Sequence, residues 1–367
     1  MRTAIDARII SDKMHGIARY VHKLILALSE IDHENEYIIL YNNETFRSTI
    51  TLPDNFSFLK CGIKLYSVQE QFLIPRLLKK ERIDIYHSPT FSAPLFSHCK
   101  VIMTIHDMIH LVFSEHYSLL KNLYYKTIVK TAAHKASRII TDSESSKKDI
   151  VRFLTIPDDK IRSIYIGFDD KVIQNNADIS KSDIMQKYGI PGEFVLFVGN
   201  EKPHKNAENV IKAFELFFIK SRTAHSLVLI GISKKFVEEV TGCDFFDSII
   251  PFDSINNDDD LFSIYRASSL LLYPSRYEGF GLPILEAMAC GAPVITSNNS
   301  SIPEVAGDAT IMVDPENIEQ IADEIARVLS DKNLRKDLIE KGKKRAGLFT
   351  WQKTAQETLE VYKETFS

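Results

Sequence analysis

Residues Ser275 to Val294 read SRYEGFGLPILEAMACGAPV, with two glutamates, Glu278 and Glu286, on either side of a glycine turn. The preceding run, SSLLLYPS, is apolar and short, as suits a buried strand ending near Ser275. Pro283 fits the first turn of a helix, where a missing N–H costs nothing. Gly291 fits the position just past the end of that helix. Pro293 to Thr296 then begins another strand. The unit is therefore strand, loop, helix, strand, with Gly279-Phe280-Gly281 at the helix entrance. Free backbone N–H groups and the positive end of the helix dipole meet there, which makes an anion site. Glu286 is expected in the first turn, on the rim, where a carboxylate can accept hydrogen bonds from a ribose diol. Glu278 is expected in the loop, facing a cleft. Two other readings compete. In one, the glycines only make a turn and Glu278 is solvated. In the other, G-F-G-L-P-I is a dinucleotide fingerprint. Against the second, Ile284 replaces the third glycine, and Asn298 and Asn299 stand where an acid belongs.

Outward from this unit, short β-branched runs alternate with amphipathic segments along the whole chain. Strands are expected at Arg2–Ile5, Tyr37–Tyr41, Ile83–His87, Val101–Ile105 and Arg138–Thr141. A second set is expected at Glu193–Gly199, Ser226–Ile230, Ile249–Phe252, Leu270–Pro274, Pro293–Thr296 and Ala309–Val313. Helical patterns fall between most of them, at Ala18–Ser29, Asn206–Lys220, Asp260–Ala267 and Asn317–Leu329 among others. Such alternation implies parallel sheets with right-handed crossovers. The polar segment KVIQNNADISKS, Lys171 to Ser182, separates the two sets and reads as a linker. The expectation is an α/β protein of two doubly wound, Rossmann-like domains facing an interdomain cleft, because sheets of this class bind ligands at the carboxyl ends of their strands. The division is 1–172, 173–350, and a last helix within 351–367. In that helix Trp351, Ala355, Leu359, Tyr362 and Phe366 make one apolar face.

Three further features carry chemistry. After the strand EFVLFVG comes NEKPHKNAENVIKAF, with Asn206 as a candidate N-cap. Lys202, His204 and Lys205 then crowd a helix start, where the dipole disfavours cations, by up to about 1 kcal/mol. An anion joining them would resolve the conflict; solvated lysines are the alternative. With the glycine loop they suggest a diphosphate held by cations and backbone dipoles, without an obligatory metal. The run Asn257-Asp258-Asp259-Asp260 is read as a helix cap in preference to a metal site. In the N-terminal half, Gly16 precedes a helix, where a backbone can approach a ligand closely. His106 and Asp107 end a strand, a place suited to a cleft, although a lone histidine is more often structural.

The chain has 367 residues, enough for two or three domains. Its formal net charge of −4 gives no footprint for general nucleic-acid binding. The cysteines Cys61, Cys99, Cys243 and Cys290 form no C-x-x-C pair and read as reduced and mostly buried, in a cytoplasmic protein. MRTAIDARII lacks the apolar core of a leader, and no apolar run approaches the ~18 residues that span a bilayer.

Gly16 with ARY, the IHD of Ile105–Asp107, ITDSESSKKDI, the PHKN of Pro203–Asn206, and YEGFGLPILEAMACGAPVITS followed by IPEVAGDA occur in this order. Together they resemble a retaining glycosyltransferase of family four, with the GT-B fold, over nearly the whole chain. The resemblance implies roles residue by residue. Glu278 would orient the transferred hexose, and Phe280, Gly281 and Leu282 would offer N–H groups to sugar and diphosphate. Glu286 would bind the ribose, Lys205 the diphosphate, and Phe252 would lie near the base. Gly16 would approach the phosphates, and His106 would hydrogen-bond the hexose or the charge developing near it. The last helix would cross back to the N-terminal domain. One departure is that many members carry arginine-lysine where this chain has His204-Lys205, and some an arginine at the position of Asn200.

The implied activity is transfer of a hexose, mannose from GDP-mannose by resemblance to bacterial polysaccharide enzymes, to a saccharide or lipid-linked acceptor in cell-surface polysaccharide synthesis. A UDP-sugar donor, a sugar-nucleotide epimerase and a catalytically silent nucleotide-binding protein remain open. No cofactor is expected beyond the donor. Between Glu115 and Asp142 the chain has no acid, but Lys121, Lys126, Lys130, Lys135 and Arg138 lie among Leu119, Leu123, Tyr124, Ile128 and Val129. FLIPRLLKKER, Phe72 to Arg82, is similar. Such stretches suit a peripheral contact with the anionic inner face of the cytoplasmic membrane; an ordinary helix with one solvated face is the alternative.

Overall fold

The computed structural model describes residues 1–11, 16–168, 180–222, 224–242 and 247–367, in two compact units. The first comprises Met1–Gly167 with Thr350–Ser367, and the second Phe168–Phe349. Cys243 and most of the expected linker lie outside the described residues. Lys181 and Ser182 are helical, in Lys181–Tyr188, capped by the Ser180 side chain.

The first unit is a seven-stranded sheet in the order β3-β2-β1-β4-β5-β6-β7. The strands are β1 (Arg2–Asp6), β2 (Glu36–Tyr41), β3 (Phe56–Lys60), β4 (Ile85–Ser88), β5 (Lys100–Thr104), β6 (Arg138–Thr141) and β7 (Ile161–Ser163). Every pairing is parallel; in register, Ile5 stands beside Ile39 on one side and His87 on the other. Two of these strands lack a readable sequence signal. β3 mixes buried Phe56 with exposed Ser57 and Lys60, and β7 has three residues. Both are edge strands with one neighbour, so the near-continuous apolar run of an interior parallel strand is not required of them.

The second unit has six parallel strands in the order β10-β9-β8-β11-β12-β13. They are β8 (Phe194–Val198), β9 (Ser226–Ile230), β10 (Ile249–Phe252), β11 (Leu270–Tyr273), β12 (Val294–Ser297) and β13 (Ile311–Val313). Their interiors are almost wholly apolar and buried, as strands covered on both faces must be. In each sheet the strand order reverses once, between β1 and β4 and between β8 and β11. The carboxyl ends at such a reversal form the crevice where open sheets take ligands.

The last helix, Trp351–Phe366, belongs to the first unit and packs on the helix Gly16–Ile31. Ala355, Leu359 and Tyr362 are buried as their spacing implies, but Phe366, the last helical residue, is exposed. A Cβ at Gly167 would lie 2.3 Å from the Trp351 nitrogen, so only glycine lets the chain pass the helix start. Among the described residues no helix is long and apolar enough to cross a membrane. Cys61, Cys99 and Cys290 are free thiols, half-buried where deeper burial was expected.

A buried polar contact ties the last helix to β4. His87 on β4 is fully buried, with Nδ1 2.6 Å from the Tyr362 hydroxyl and Nε2 2.8 Å from Thr104 Oγ1. Burial, with a smaller push from nearby His106, lowers its pKa to about 3. An unfolded histidine titrates near ~6.5. Below that value the unfolded state binds a proton that the folded state refuses. This contribution to stability is therefore complete above ~6.5 and is lost as pH falls toward the folded value. Near pH ~5 the loss is about 2 kcal/mol. Trp351, the only tryptophan, reports unfolding of this unit. Denaturant titration of its fluorescence at neutral pH and near pH ~5 should show His87→Gln losing about 2 kcal/mol less than the unmodified protein. Equal losses would mean that His87 does not set the acid limit.

Candidate active site

The second unit builds its site at the reversal between β8 and β11. β11 ends at Tyr273, a buried side chain whose hydroxyl reaches past the strand end. It donates to Glu278 Oε1 at 2.6 Å. From the loop after β8, Lys205 Nζ donates to both oxygens of Glu278, at 2.7 and 3.0 Å, and to the Tyr273 hydroxyl at 2.9 Å. The Lys205 and Glu278 side chains are only 16% and 11% exposed. Burial alone would raise the carboxyl pKa, but Lys205 and the Tyr273 hydroxyl outweigh it and hold Glu278 below its usual range. The same contacts raise Lys205 against the burial that would lower it. Both groups are charged.

Several polar contacts fix the two loops. Ser300, at φ 57°, and Ser301 donate their hydroxyls to the Glu278 carbonyl at 2.6 and 2.9 Å. Ser301 also reaches the Phe280 carbonyl at 3.1 Å. Arg276 donates from Nη1 to the Pro203 carbonyl at 2.8 Å and grips Glu316, while its N–H donates to the His204 carbonyl. Asn206 is not the side-chain cap its position implies. It takes φ 63°, and its Nδ2 donates instead to the carbonyls of Pro274 and Pro315, at 3.0 and 2.8 Å. Lys205 ends a short turn, Pro203–Lys205, ahead of the helix Ala207–Ser221, and His204 is buried in that turn. Of the three cations expected to crowd the helix start, only Lys202 is exposed; His204 is buried and Lys205 is paired with Glu278.

The glycine turn has the expected form. Gly281, at φ 105°, precedes the helix Leu282–Cys290; Pro283 lies in its first turn and Gly291, at φ 78°, ends it. Phe280 is buried, edge-on to Phe349 at 5.8 Å. Leu282 opens the helix, half-buried. Glu286 is the fifth helical residue, so it begins the second turn and not the first. It accepts from the Tyr265 hydroxyl at 2.8 Å. Phe252 ends β10, half-buried and edge-on to Tyr188 at 5.7 Å. Asn257 caps its helix by accepting from the Asp260 N–H, and Asp260 pairs with Lys187 at 2.6 Å.

The first unit carries a second polar group at the carboxyl edge of β5 and β6. His106 Nδ1 lies 2.8 Å from Asp142 Oδ2, and both side chains are buried. Burial works to lower the histidine pKa, but the carboxylate outweighs it and the net shift is upward. The ring stands edge-on to Tyr20 at 4.8 Å. Gly16 is the first residue of its helix, exposed, with nothing near the place of a Cβ; no close packing demands glycine there.

Sequence reasoning missed Tyr273, because LLLY reads as core and three of its four residues are only that. It also missed Asp142, although β5 and β6 pair in register and a residue just past one can meet a residue just past the other. Both strand ends were legible; their adjacency was not.

Residues 14–172 match the model of Glycosyltransferase Family 4, and residues 180–345 that of Glycosyl transferases group 1. The chain is 29% identical to the O-antigen chain mannosyltransferase B of Escherichia coli over 95% of its own length and 96% of the relative's. Among solved structures, Anabaena HepE in complex with UDP and glucose aligns with a TM-score of 0.77 at 17% identity, covering 99% of this chain and 100% of the other. WaaG, described as a glycosyltransferase involved in lipopolysaccharide biosynthesis, aligns with a TM-score of 0.72 at 15% identity, covering 98% and 99%. These likenesses match the two parallel sheets to the two-domain GT-B fold. The chain belongs to the glycosyltransferases, its N-terminal half to family four and its C-terminal half to group 1.

Proposed function

We propose that the protein transfers mannose, with retention of anomeric configuration, from GDP-mannose to a saccharide or lipid-linked acceptor in the synthesis of a surface polysaccharide. The observation that carries the site assignment is the buried Lys205–Glu278 pair beside the glycine turn. A buried ion pair stabilises little compared with an apolar substitute, because both charges lose water. Its position at the β8–β11 reversal favours a ligand-exchange role. A pyrophosphate at the Gly281 turn would draw Lys205 and free Glu278 to accept hydrogen bonds from the hexose. Backbone N–H groups of Phe280, Gly281 and Leu282 would face the phosphates. Glu286 would take the ribose hydroxyls and Phe252 would flank the base. The similarity to an O-antigen mannosyltransferase supports mannose as the sugar.

In the reaction the anomeric C–O bond to the β-phosphate breaks, and the electron pair leaves with the nucleoside diphosphate. Lys205 and the turn's N–H dipoles stabilise that developing charge. The acceptor oxygen attacks from the same face and passes its proton to the departing phosphate oxygen. Glu278 orients the sugar and stabilises the positive charge at the anomeric carbon without bonding to it. A raised pKa suits His106 to donate to the hexose from Nε2 with Nδ1 held by Asp142, and Gly16 would approach the phosphates. We also propose that the enzyme acts at the inner face of the cytoplasmic membrane.

Two measurements test this reading. Incubated with GDP-mannose alone, the protein should slowly release mannose in the α configuration, read by proton NMR. Conversion of donor to an isomeric sugar nucleotide would indicate an epimerase, and preference for UDP-hexose would overturn the donor assignment. Separately, Glu278→Gln should lower kcat by about 100-fold or more while GDP affinity changes little. Lys205→Met should weaken GDP binding by about tenfold or more. Full turnover by Glu278→Gln, or a glycosyl adduct trapped on Glu278, would contradict the role of Glu278 as an orienting carboxylate.

A further inference from the structure

The two oxygens of Glu278 are held unequally. Oε1 accepts from the Tyr273 hydroxyl at 2.6 Å and from Lys205 Nζ at 2.7 Å. Oε2 accepts from Lys205 at 3.0 Å. Lys205 is therefore shared by both oxygens, whereas Tyr273 serves Oε1. If Lys205 leaves for a phosphate, Oε2 loses that bond and Oε1 keeps its phenol. The backbone of Glu278 is fixed separately. The Ser300 and Ser301 hydroxyls donate to its carbonyl, and its N–H donates to Ser300 Oγ at 3.3 Å.

Tyr273 is rigidly placed. It is the last residue of β11, between β8 and β12, and is fully buried. In register it stands beside Thr296, whose hydroxyl donates to the Tyr273 carbonyl at 2.8 Å. Its ring packs on Phe197 of β8, tilted, with centroids 6.4 Å apart. Lys205, in contrast, ends a short turn and carries its charge on a flexible four-carbon stem. A leucine would fill the core at position 273 as the three before it do. A buried hydroxyl there costs free energy unless it is bonded. Burial and Glu278 together hold the phenol pKa well above the usual range, with Lys205 pulling less strongly the other way, so the hydroxyl remains a donor.

We propose that Tyr273 is a positioning residue for Glu278: it retains Oε1 when Lys205 moves to the diphosphate, and so leaves Oε2 to the hexose. The inference rests on the exchange of Lys205 from carboxylate to phosphate. It divides the carboxylate between its oxygens, one bound to a strand end and the other presented to the sugar. A carboxylate held by one oxygen cannot rotate freely, which suits orientation of the sugar over attack on it.

The titratable side chains that face Glu278 are Lys205 and Tyr273; Ser275, buried close by, favours the charged form less. With Lys205 on a phosphate, Tyr273 becomes the main group opposing burial, and Tyr273→Phe lets Glu278 take up a proton at higher pH. The reaction needs the carboxylate. The acidic limb of the kcat profile, read from mannose release out of GDP-mannose, should therefore move up by about one pH unit or more. Above the limb kcat should fall by about tenfold with little change in KM. GDP should bind the variant at least as tightly, because Lys205 gives up one acceptor fewer when it leaves. An unmoved limb, or GDP binding weakened together with thermal stability, overturns the proposal. A crystal structure of the unmodified protein with GDP tests it without the variant. Glu278 Oε1 should stay within hydrogen-bond distance of the Tyr273 hydroxyl after Lys205 has left; Oε1 turned away overturns the proposal. An unmoved limb with Glu278→Gln inactive removes this inference alone. Full turnover by Glu278→Gln, or Lys205 still on Glu278 beside bound GDP, removes the reading beneath it as well.

Discussion

The Lys205 ammonium, held between the Tyr273 hydroxyl and the Glu278 carboxylate, is the contact on which the second unit's site depends. It joins three pieces of chain: the loop after β8, the end of β11 and the loop that follows β11. Each arrives there because the strand order reverses between β8 and β11. Two charges buried so deeply are costly to desolvate, and each is held by the other and by a shared hydroxyl. Such an arrangement is intolerant of losing one partner but able to exchange it for another anion. The serines at 300 and 301, Arg276 and Asn206 all bond to the backbones of these loops and keep them in place.

The first unit repeats the strategy with different groups. At the carboxyl ends of its strands it buries Asp6 with Arg8 and Glu70, and His106 with Asp142. His87 takes a neutral role nearby, bound to Thr104 and to Tyr362 of the last helix. Its contrast with His106 is set by neighbours alone. Burial works to lower both; at His87 no neighbour outweighs it and the pKa falls, whereas at His106 the Asp142 carboxylate outweighs it and the pKa rises. The two lie on adjacent strands, and each is a histidine at or just past a strand end.

Much of the fold was legible because parallel strands covered on both faces must be apolar throughout, and LLLY, FVLFV and SLVLI are. The helix signals around Gly281, Pro283 and Gly291 were legible for the same kind of reason: few residues satisfy those backbone positions. The edge strands at Phe56 and Ile161 were not, since an edge has one neighbour and imposes a weaker pattern. Asn206 misled because a side chain that could cap a helix found two carbonyls from distant loops instead. Tyr273 and Asp142 became site residues only through pairings between strands far apart in sequence. The leucines at 119, 120 and 123, which lie exposed, show the same limit, because periodicity marks an apolar stripe without saying which way it faces.

Whether the Lys205–Glu278 pair opens to a nucleoside diphosphate at the Gly281 turn can be seen in a crystal structure of the protein soaked with GDP. Phosphate oxygens should lie within hydrogen-bond distance of the backbone N–H groups at 280–282, with Lys205 Nζ moved from Glu278 onto a phosphate. An intact Lys205–Glu278 pair, with the nucleotide bound elsewhere or the turn closed by packing, would contradict that exchange.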